Sequence, residues 1–289
     1  MSKISIGGQA VIEGVMMRGR THWAMAVRKP DGSIAIKDKP INDLSKKYPF
    51  LGWPVLRGAV SLVQSLVIGV QAISTSAQMS MGEEERELTT WEMGATIAFS
   101  VVFAALLFMA VPYFLTRYVQ SFKLNHVLFT TIEGVIRISI FVGYVGVISL
   151  IKDIRKVFEY HGAEHKVINV YDKGLQPSIE NSHKYSTVHP MCGTSFVLLV
   201  LVISIIAFSF LPVGNFGYRF LGKILIVPLI AGISYEIIRL ARKRPNKFLS
   251  IILYPGLLLQ KLTTKEPSDK QVEVSIAAFN RVVELELKS

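Results

Sequence analysis

The sequence predicts an α-helical polytopic membrane protein of about four transmembrane helices, with a small β-rich cytoplasmic element at its N-terminus. Three observations carry this. The 289 residues are 51% hydrophobic with a mean hydropathy of +0.41, yet 18% are charged, so an apolar part coexists with a part that sits in water. Residues 93–116 run for 24 positions without a charge, enough to cross a bilayer core. Near the start, Trp23, Met25 and Val27 alternate with Ala24, Ala26 and Arg28 ahead of a Pro30-Asp31-Gly32 turn, and Ile34 and Ile36 resume the alternation. That is the pattern of a β-hairpin.

Residues 1–53 form the β-rich element. Before the hairpin, GGQAVIEGVMMRGR sets Gly7, Gly8 and Gly14 around Glu13 and Arg18. Such backbone either approaches a ligand closely or makes tight turns that feed the hairpin. No GxxxxGK[ST] follows, which removes a phosphate loop. The first residues, MSKISIGGQ, lack the apolar core of a signal peptide, so none is expected.

Residues 54–92 comprise an amphipathic helix and an acidic connector. Ser61, Gln64, Gln71, Thr75 and Gln78 fall at helical spacing opposite Val60, Val63, Val67 and Val70. This predicts an interfacial or bundle-packed helix that does not span. GEEERELTTWE (82–92) is a solvated connector. Residues 93–151 hold the first pair of transmembrane helices, 93–116 and 127–151, the second carrying Glu133 and Arg137 at the spacing of an intrahelical ion pair. Residues 152–195 are a His/Cys-rich cytoplasmic segment. Residues 196–238 belong to the second pair, with apolar runs over 194–211 and 224–238, the latter containing Pro228 and Glu236.

The tail, 239–289, opens on a basic anchor, RLARKRPNK. Its apolar stretch 248–262 is broken by Pro255-Gly256, too short to cross, and expected in the interface or back on the bundle. Ser268 and Gln271 after Pro267 read as a capping box. Val272, Ile276, Phe279, Val283 and Leu287 then share one helix face.

Net charge is +11, and its distribution sets topology. Eleven Lys/Arg fall in residues 1–92, six in 152–195 and ten in 239–289, against two each in 117–130 and 213–223. The positive-inside rule then gives a multi-pass protein of the inner (plasma) membrane with both termini cytoplasmic. Topology accounts for the basic bias, so no specific nucleic-acid partner is expected. A single cysteine permits no internal disulfide and fits a reducing compartment.

The chemistry-bearing residues are gathered between the two helix pairs. His161, Glu164 and His165 fall in EYHGAEHKVI, and His189 and Cys192 in VHPMCGTSF. Two imidazoles four residues apart share a helix face, a spacing that holds a divalent transition metal such as zinc, with Glu164 as general base. His189, Cys192 and Glu236, at the cytoplasmic end of the last span, are the further candidate ligands. The same residues also fit a structural alternative: interfacial imidazoles bonded to loop carbonyls, and a capped helix start at Cys192, Thr194 and Ser195.

Four blocks in order, GGQAVIEGVMMRGR, YHGAEHK, HPMCGTSF and YPGLLLQKLTTKEP with VEVSIAA, resemble the DUF1385 (YqhQ-like) family of bacterial integral membrane proteins. The resemblance implies a metal-dependent enzyme without an assigned substrate. It marks Glu13, Arg18, His161, Glu164, His165, His189 and Cys192 as the motif positions, Glu13 and Arg18 as substrate or anion contacts. Arg is expected before Cys192 in the HPxCGT motif, where this chain has Met191. An anion contact made there is either lost or supplied by Arg18.

Two functions follow. One is a membrane-embedded metal-dependent hydrolase with a cytoplasmic-facing His/Glu/Cys site. The other is a non-catalytic accessory factor for membrane-protein insertion or assembly, with lipid, other membrane proteins or a translocon assembly as partners and the histidine cluster as a structural knot. A transporter is the weaker third, because Glu133, Arg137 and Glu236 are the ionisable residues within spans and no repeat relates the helix pairs.

Overall fold

A computed structural model describes residues 4–42, 48–81, 89–119, 125–211, 216–244 and 246–289; most of the acidic connector lies outside them. Four antiparallel strands, β1 (Gly7–Val11), β2 (Gly14–Arg18), β3 (His22–Arg28) and β4 (Ile34–Pro40), form a meander in sequence order. The predicted hairpin is β3–β4, paired from His22↔Pro40 to Arg28↔Ile34. The glycine-rich run is a second hairpin, β1–β2, closed at Glu13, whose φ of +52° lies in the left-handed region, and at Gly14. A Cβ at Gly14 would stand 2.2 Å from the Ala26 carbonyl oxygen, so only glycine fits beside β3.

Nine helices follow among the described residues. They are α1 (Leu56–Ser80), α2 (Thr90–Ala105 continuing through a π-helical turn, Leu106–Ala110, into Val111–Val119), α3 (His126–Ile148), α4 (Lys152–Asp172), α5 (Ile179–His183), α6 (Gly193–Ser209), α7 (Phe216–Lys243), α8 (Lys247–Thr263) and α9 (Asp269–Leu287).

Alternation along the strands buries both faces of the sheet. Val15, Met17, Ala24 and Ala26 pack on Ala163 and Val167 of α4 and on Val274, Ala278 and Val282 of α9. Met16, Trp23, Met25 and Val27 turn the other way, onto Ile68 and Ala72 of α1. The result is a three-layer body, α4/α9 over sheet over α1. Polar ties fix α9 there: Glu286 accepts from the Thr21 and His22 N–H groups at 2.7 and 2.9 Å, and Arg281 donates to Asp38 at 2.9 Å. Its start closes with a capping box between Ser268 and Gln271.

Four helical segments are long and apolar enough to cross a membrane: Leu56–Ser80, Gly94–Tyr118, His126–Ile148 and Phe220–Lys243. Length alone ranks two helices differently from expectation. The helix expected not to span, α1, has spanning length, whereas α6, expected to span, has 17 residues. At 1.5 Å per residue α6 covers about 26 Å, just short of a core of about 30 Å. The stripe on α1 also differs from expectation. Its packed face carries Gly58, Ile68, Ala72 and Ser76, while Gln71 and Gln78 are exposed.

The apolar helices enclose a charged group. Glu133 on α3 meets Arg137 at 2.6 Å one turn along and also Lys223 from α7. The Arg137 Nε donates to the Phe108 carbonyl at 2.7 Å, on the π-helical turn of α2. Both cations lie over the Phe208 ring of α6, 5.3 and 5.4 Å from its centroid. The intrahelical pair is thus one part of a lock on four helices. α8 continues through Pro255 and packs Leu249 and Leu253 on Leu199 of α6 and Ala241 of α7.

Candidate metal centre

The centre is built on α4. Ala163 and Val167 face the sheet, which turns His161, Glu164, His165 and Ile168 toward a cavity of about 600 Å³. β1, β2, the start of α6 and Ser65 and Ile68 of α1 complete its walls.

Both imidazoles are oriented through Nδ1. His161 Nδ1 bonds the Thr263 carbonyl at 2.8 Å and His165 Nδ1 the Thr187 carbonyl at 2.6 Å. A carbonyl only accepts, so each Nδ1 carries the proton and each Nε2 keeps a lone pair. His161 Nε2 lies 3.2 Å from Cys192 Sγ. Ligand atoms of His161, His165 and Cys192 all fall within 4.8 Å of one another. Two Nε2 lone pairs, with Nδ1 protons tied to carbonyls, and one thiol suit a transition metal such as zinc. Cys192 occupies the N-cap of α6, where Sγ accepts the Thr194 N–H at 3.3 Å.

Two crossings hold the ligands in place. A Cβ on Gly162 would sit 2.0 Å from the Lys265 carbonyl oxygen, so the chain leaving α8 passes against bare α4 backbone and delivers Thr263 to His161. Gln260 of α8 is wholly buried. Its Oε1 accepts the His189 N–H at 2.9 Å, and its Nε2 donates to the His189 carbonyl at 2.9 Å and to Ser195 Oγ at 2.8 Å. This clamp fixes the stretch that carries Cys192.

Glu164 reaches the cavity from beneath β1. Its side chain packs against the Gly8 backbone, where a Cβ would come within 3.0 Å of the carboxylate. Its Oε2 is buried and, among the described residues, has no hydrogen-bond partner. Burial pushes the Glu164 pKa up, against the opposing pull of His161, His189 and the Gly8 N–H. Burial likewise lowers the His165 pKa, which keeps that imidazole neutral and able to ligate.

The other candidates lie elsewhere. His189 lines the cavity, but its Nε2 bonds Asp172 at 3.0 Å and its Nδ1 accepts the Met191 N–H at 3.3 Å, so both nitrogens are engaged outside the His161–His165–Cys192 group. Glu236 is held by Arg57 of α1, Nε at 2.6 and Nη2 at 2.5 Å, and does not line the cavity. Glu13, in the β1–β2 turn, pairs with Lys156 at 2.6 Å and is likewise outside the lining. Arg18 does line it, as does Met191, and the Arg18 Nη1 donates to Ser65 Oγ at 2.9 Å. Sequence reasoning missed Asp172, Gln260 and the carbonyls of Thr187 and Thr263. A lone Gln in the apolar run LYPGLLLQKL was the one available signal.

A family model described as a protein of unknown function (DUF1385) matches residues 53–285. An uncharacterised protein of Bacillus subtilis (strain 168), YqhQ, is 35% identical over 303 residues, spanning 98% of this chain and 93% of that relative. No solved structure matches.

Proposed function

We propose that this chain, which belongs to the DUF1385 family, is a membrane-embedded, metal-dependent hydrolase with its site on the cytoplasmic face. One observation carries the reading: three donors, His161, His165 and Cys192, converge at a cavity that Glu164 also lines, its buried Oε2 without a hydrogen-bond partner among the described residues. Three protein ligands with a fourth position open is the catalytic pattern of zinc, whereas structural sites use four. When bound, such an ion polarises an ester, amide or phosphoester oxygen and makes water a nucleophile near neutral pH.

The chain's own residues supply the rest. The Thr263 and Thr187 carbonyls hold both Nε2 atoms toward the cavity. Glu164, with its raised pKa, takes a proton at its carboxylate from the attacking water and returns it to the leaving group. Water thus adds across the bond, one product keeping the hydroxyl and the other the proton. The charge distribution supports a plasma-membrane protein with both termini cytoplasmic, its surroundings the bilayer and other membrane proteins rather than nucleic acid.

One observation favours the accessory-factor reading: the His161 and His165 bonds tie α4 to the 187 loop and to the end of α8, as a structural knot would. Metal content of the purified protein, measured by mass spectrometry beside His161→Ala, Cys192→Ser and Glu164→Gln, separates the two. The hydrolase reading expects one equivalent, lost in the first two variants and kept in Glu164→Gln, which folds but fails to complement a deletion. A folded wild-type protein that takes up no metal, or a Glu164→Gln variant that complements fully, would sink it.

A further inference from the structure

The rim of the cavity differs in chemistry from its floor. Glu164 is the one acidic residue in the described lining, and it lies on the floor with the ligands. At the rim stand Arg18 and the exposed Arg20, Arg18 tied to Ser65 of α1. Between rim and floor the wall is apolar, from Ile68, Met16, Phe158, Ile168 and Met191.

α1 joins this cavity to an apolar surface. Val63, Leu66, Val67, Val70 and Ile73 form one helical stripe, each between 39% and 60% exposed. The opposite face, Ile68 and Ala72, is covered by the sheet. The sheet in turn carries Lys37 and Lys39 on exposed β4 positions, so bilayer cannot surround α1. A helix with one face on a water-exposed layer and an apolar stripe on the other lies flat in the membrane surface. Ser65 and Ile68 of α1 line the cavity itself, so this surface-lying helix forms one of its walls.

We propose that the cavity takes a membrane amphiphile with an anionic headgroup, which enters sideways past α1 and sets its anion against Arg18. The inference names the substrate class of the proposed hydrolase and rests on that reading. A volume of about 600 Å³ is that of a small-molecule site, with room for a headgroup and its adjoining linkage while the chains stay in the bilayer. Guanidinium is the side chain suited to such an anion, since its fork matches phosphate or carboxylate oxygens. Met191, facing the same space, adds no charge, which leaves recognition to Arg18 and Arg20.

The test reads binding without turnover. Full-length Glu164→Gln protein in dodecyl maltoside is titrated with pyrene-acyl phosphatidylglycerol and challenged with unlabelled phosphatidylglycerol, phosphatidylcholine or water-soluble glycerol 3-phosphate. Phosphatidylglycerol is expected to compete at least tenfold better than phosphatidylcholine, and glycerol phosphate not to compete. Arg18→Gln should erase that preference and Arg18→Lys retain part of it. Equal competition by phosphatidylcholine, competition by glycerol phosphate as strong as by the lipid, or an Arg18→Gln protein with its preference intact overturns the proposal.

A second measurement tests the route. Fluorophores at Val63→Cys and Ile73→Cys, ten residues and about 15 Å apart along the axis, should be quenched equally by spin-labelled lipids of one depth. A depth difference close to that length means α1 crosses, and sideways entry falls. Zinc content of the same samples separates the two ideas. Lipid preference without zinc leaves the amphiphile site standing and removes the hydrolase, whereas zinc without lipid preference does the reverse.

Discussion

Replacing Gly162 by alanine sets two effects of opposite sign against each other. In the middle of α4, alanine is the better helix former by about 0.5–1 kcal/mol. Its Cβ, however, would lie 2.0 Å from the Lys265 carbonyl oxygen, a backbone atom without rotamers to yield. The crossing segment must retreat by more than 1 Å. That retreat stretches the Lys265 N–H bond to the Phe158 carbonyl, now 2.9 Å, and the 2.8 Å bond between His161 and the Thr263 carbonyl. Overpacking costs about 1–3 kcal/mol and a weakened hydrogen bond about 1 kcal/mol. The clash therefore wins by about 1–3 kcal/mol. At roughly 2–4 °C per kcal/mol, thermal unfolding in detergent should move down by several degrees. Because His161 loses its orienting partner, zinc affinity should fall about 10–100-fold with every ligand still present. A Gly162→Ala protein as stable as the parent and as tight for zinc would refute the idea that this crossing positions His161.

Three further outcomes are expected. Gln260→Leu, close in volume, leaves the His189 N–H buried without its partner at about 1–3 kcal/mol and the His189 carbonyl with the Cys192 N–H at 3.4 Å, and zinc competition should show weaker binding through a loosened Cys192; unchanged stability and affinity would remove the clamp. Glu164→Gln should reshape the pH dependence of the metal-free protein. The folded pKa is raised by burial, so the stability Glu164 contributes is full below its unfolded value of about 4.3 and is lost as pH rises through the folded value, at up to about 1.4 kcal/mol per unit. The glutamine variant, measured by thermal melts across pH 4–8, should lack that decline, and parallel curves would count against a buried carboxyl. Glu133→Gln leaves Arg137 and Lys223 without their anion inside the helix bundle, a loss of about 3–5 kcal/mol visible as poor yield and early melting. Pairing it with Lys223→Met should recover part of the loss, and a Glu133→Gln protein of normal stability would contradict the lock.

The ligand pair was legible because four-residue spacing on a helix fixes a shared face whatever the rest of the chain does, so His161 and His165 could be joined from the sequence. Cys192 joins them through a loop closure that spacing only suggests. What stayed illegible was backbone. The carbonyls of Thr187 and Thr263 orient the imidazoles, and any residue type presents the same carbonyl. His189 looked equivalent to the other histidines until Asp172, distant in kind and sequence, took its Nε2. The hairpin from Trp23 to Ile36 was readable by alternation, whereas β1–β2 was masked by glycines that lower strand propensity and are kept here for close approach. Pro255 suggested a break in α8, yet its helix continues, supported by packing on α6 and α7. Length and apolar content decide least at α1 and α6, since they do not tell a helix capped by a sheet from one bathed in lipid.

The sheet also has a consequence for the order in which the protein is made. Its strands emerge from the ribosome ahead of the long helices, but the Thr21 and His22 amides end on Glu286 of α9, after every apolar helix in the sequence. Synthesis must therefore pass through every apolar helix while Val15, Met17, Ala24 and Ala26 await α4 and then α9. α1, translated soon after, can shelter the Met16–Trp23–Met25 side early; the other side is not fully covered until α9 arrives. Pairings this distant in sequence form slowly, and an open strand face is the usual start of aggregation during biogenesis. The candidate metal ligands share that schedule: Thr263, which orients His161, ends α8, so the site is not assembled until α8 has been made.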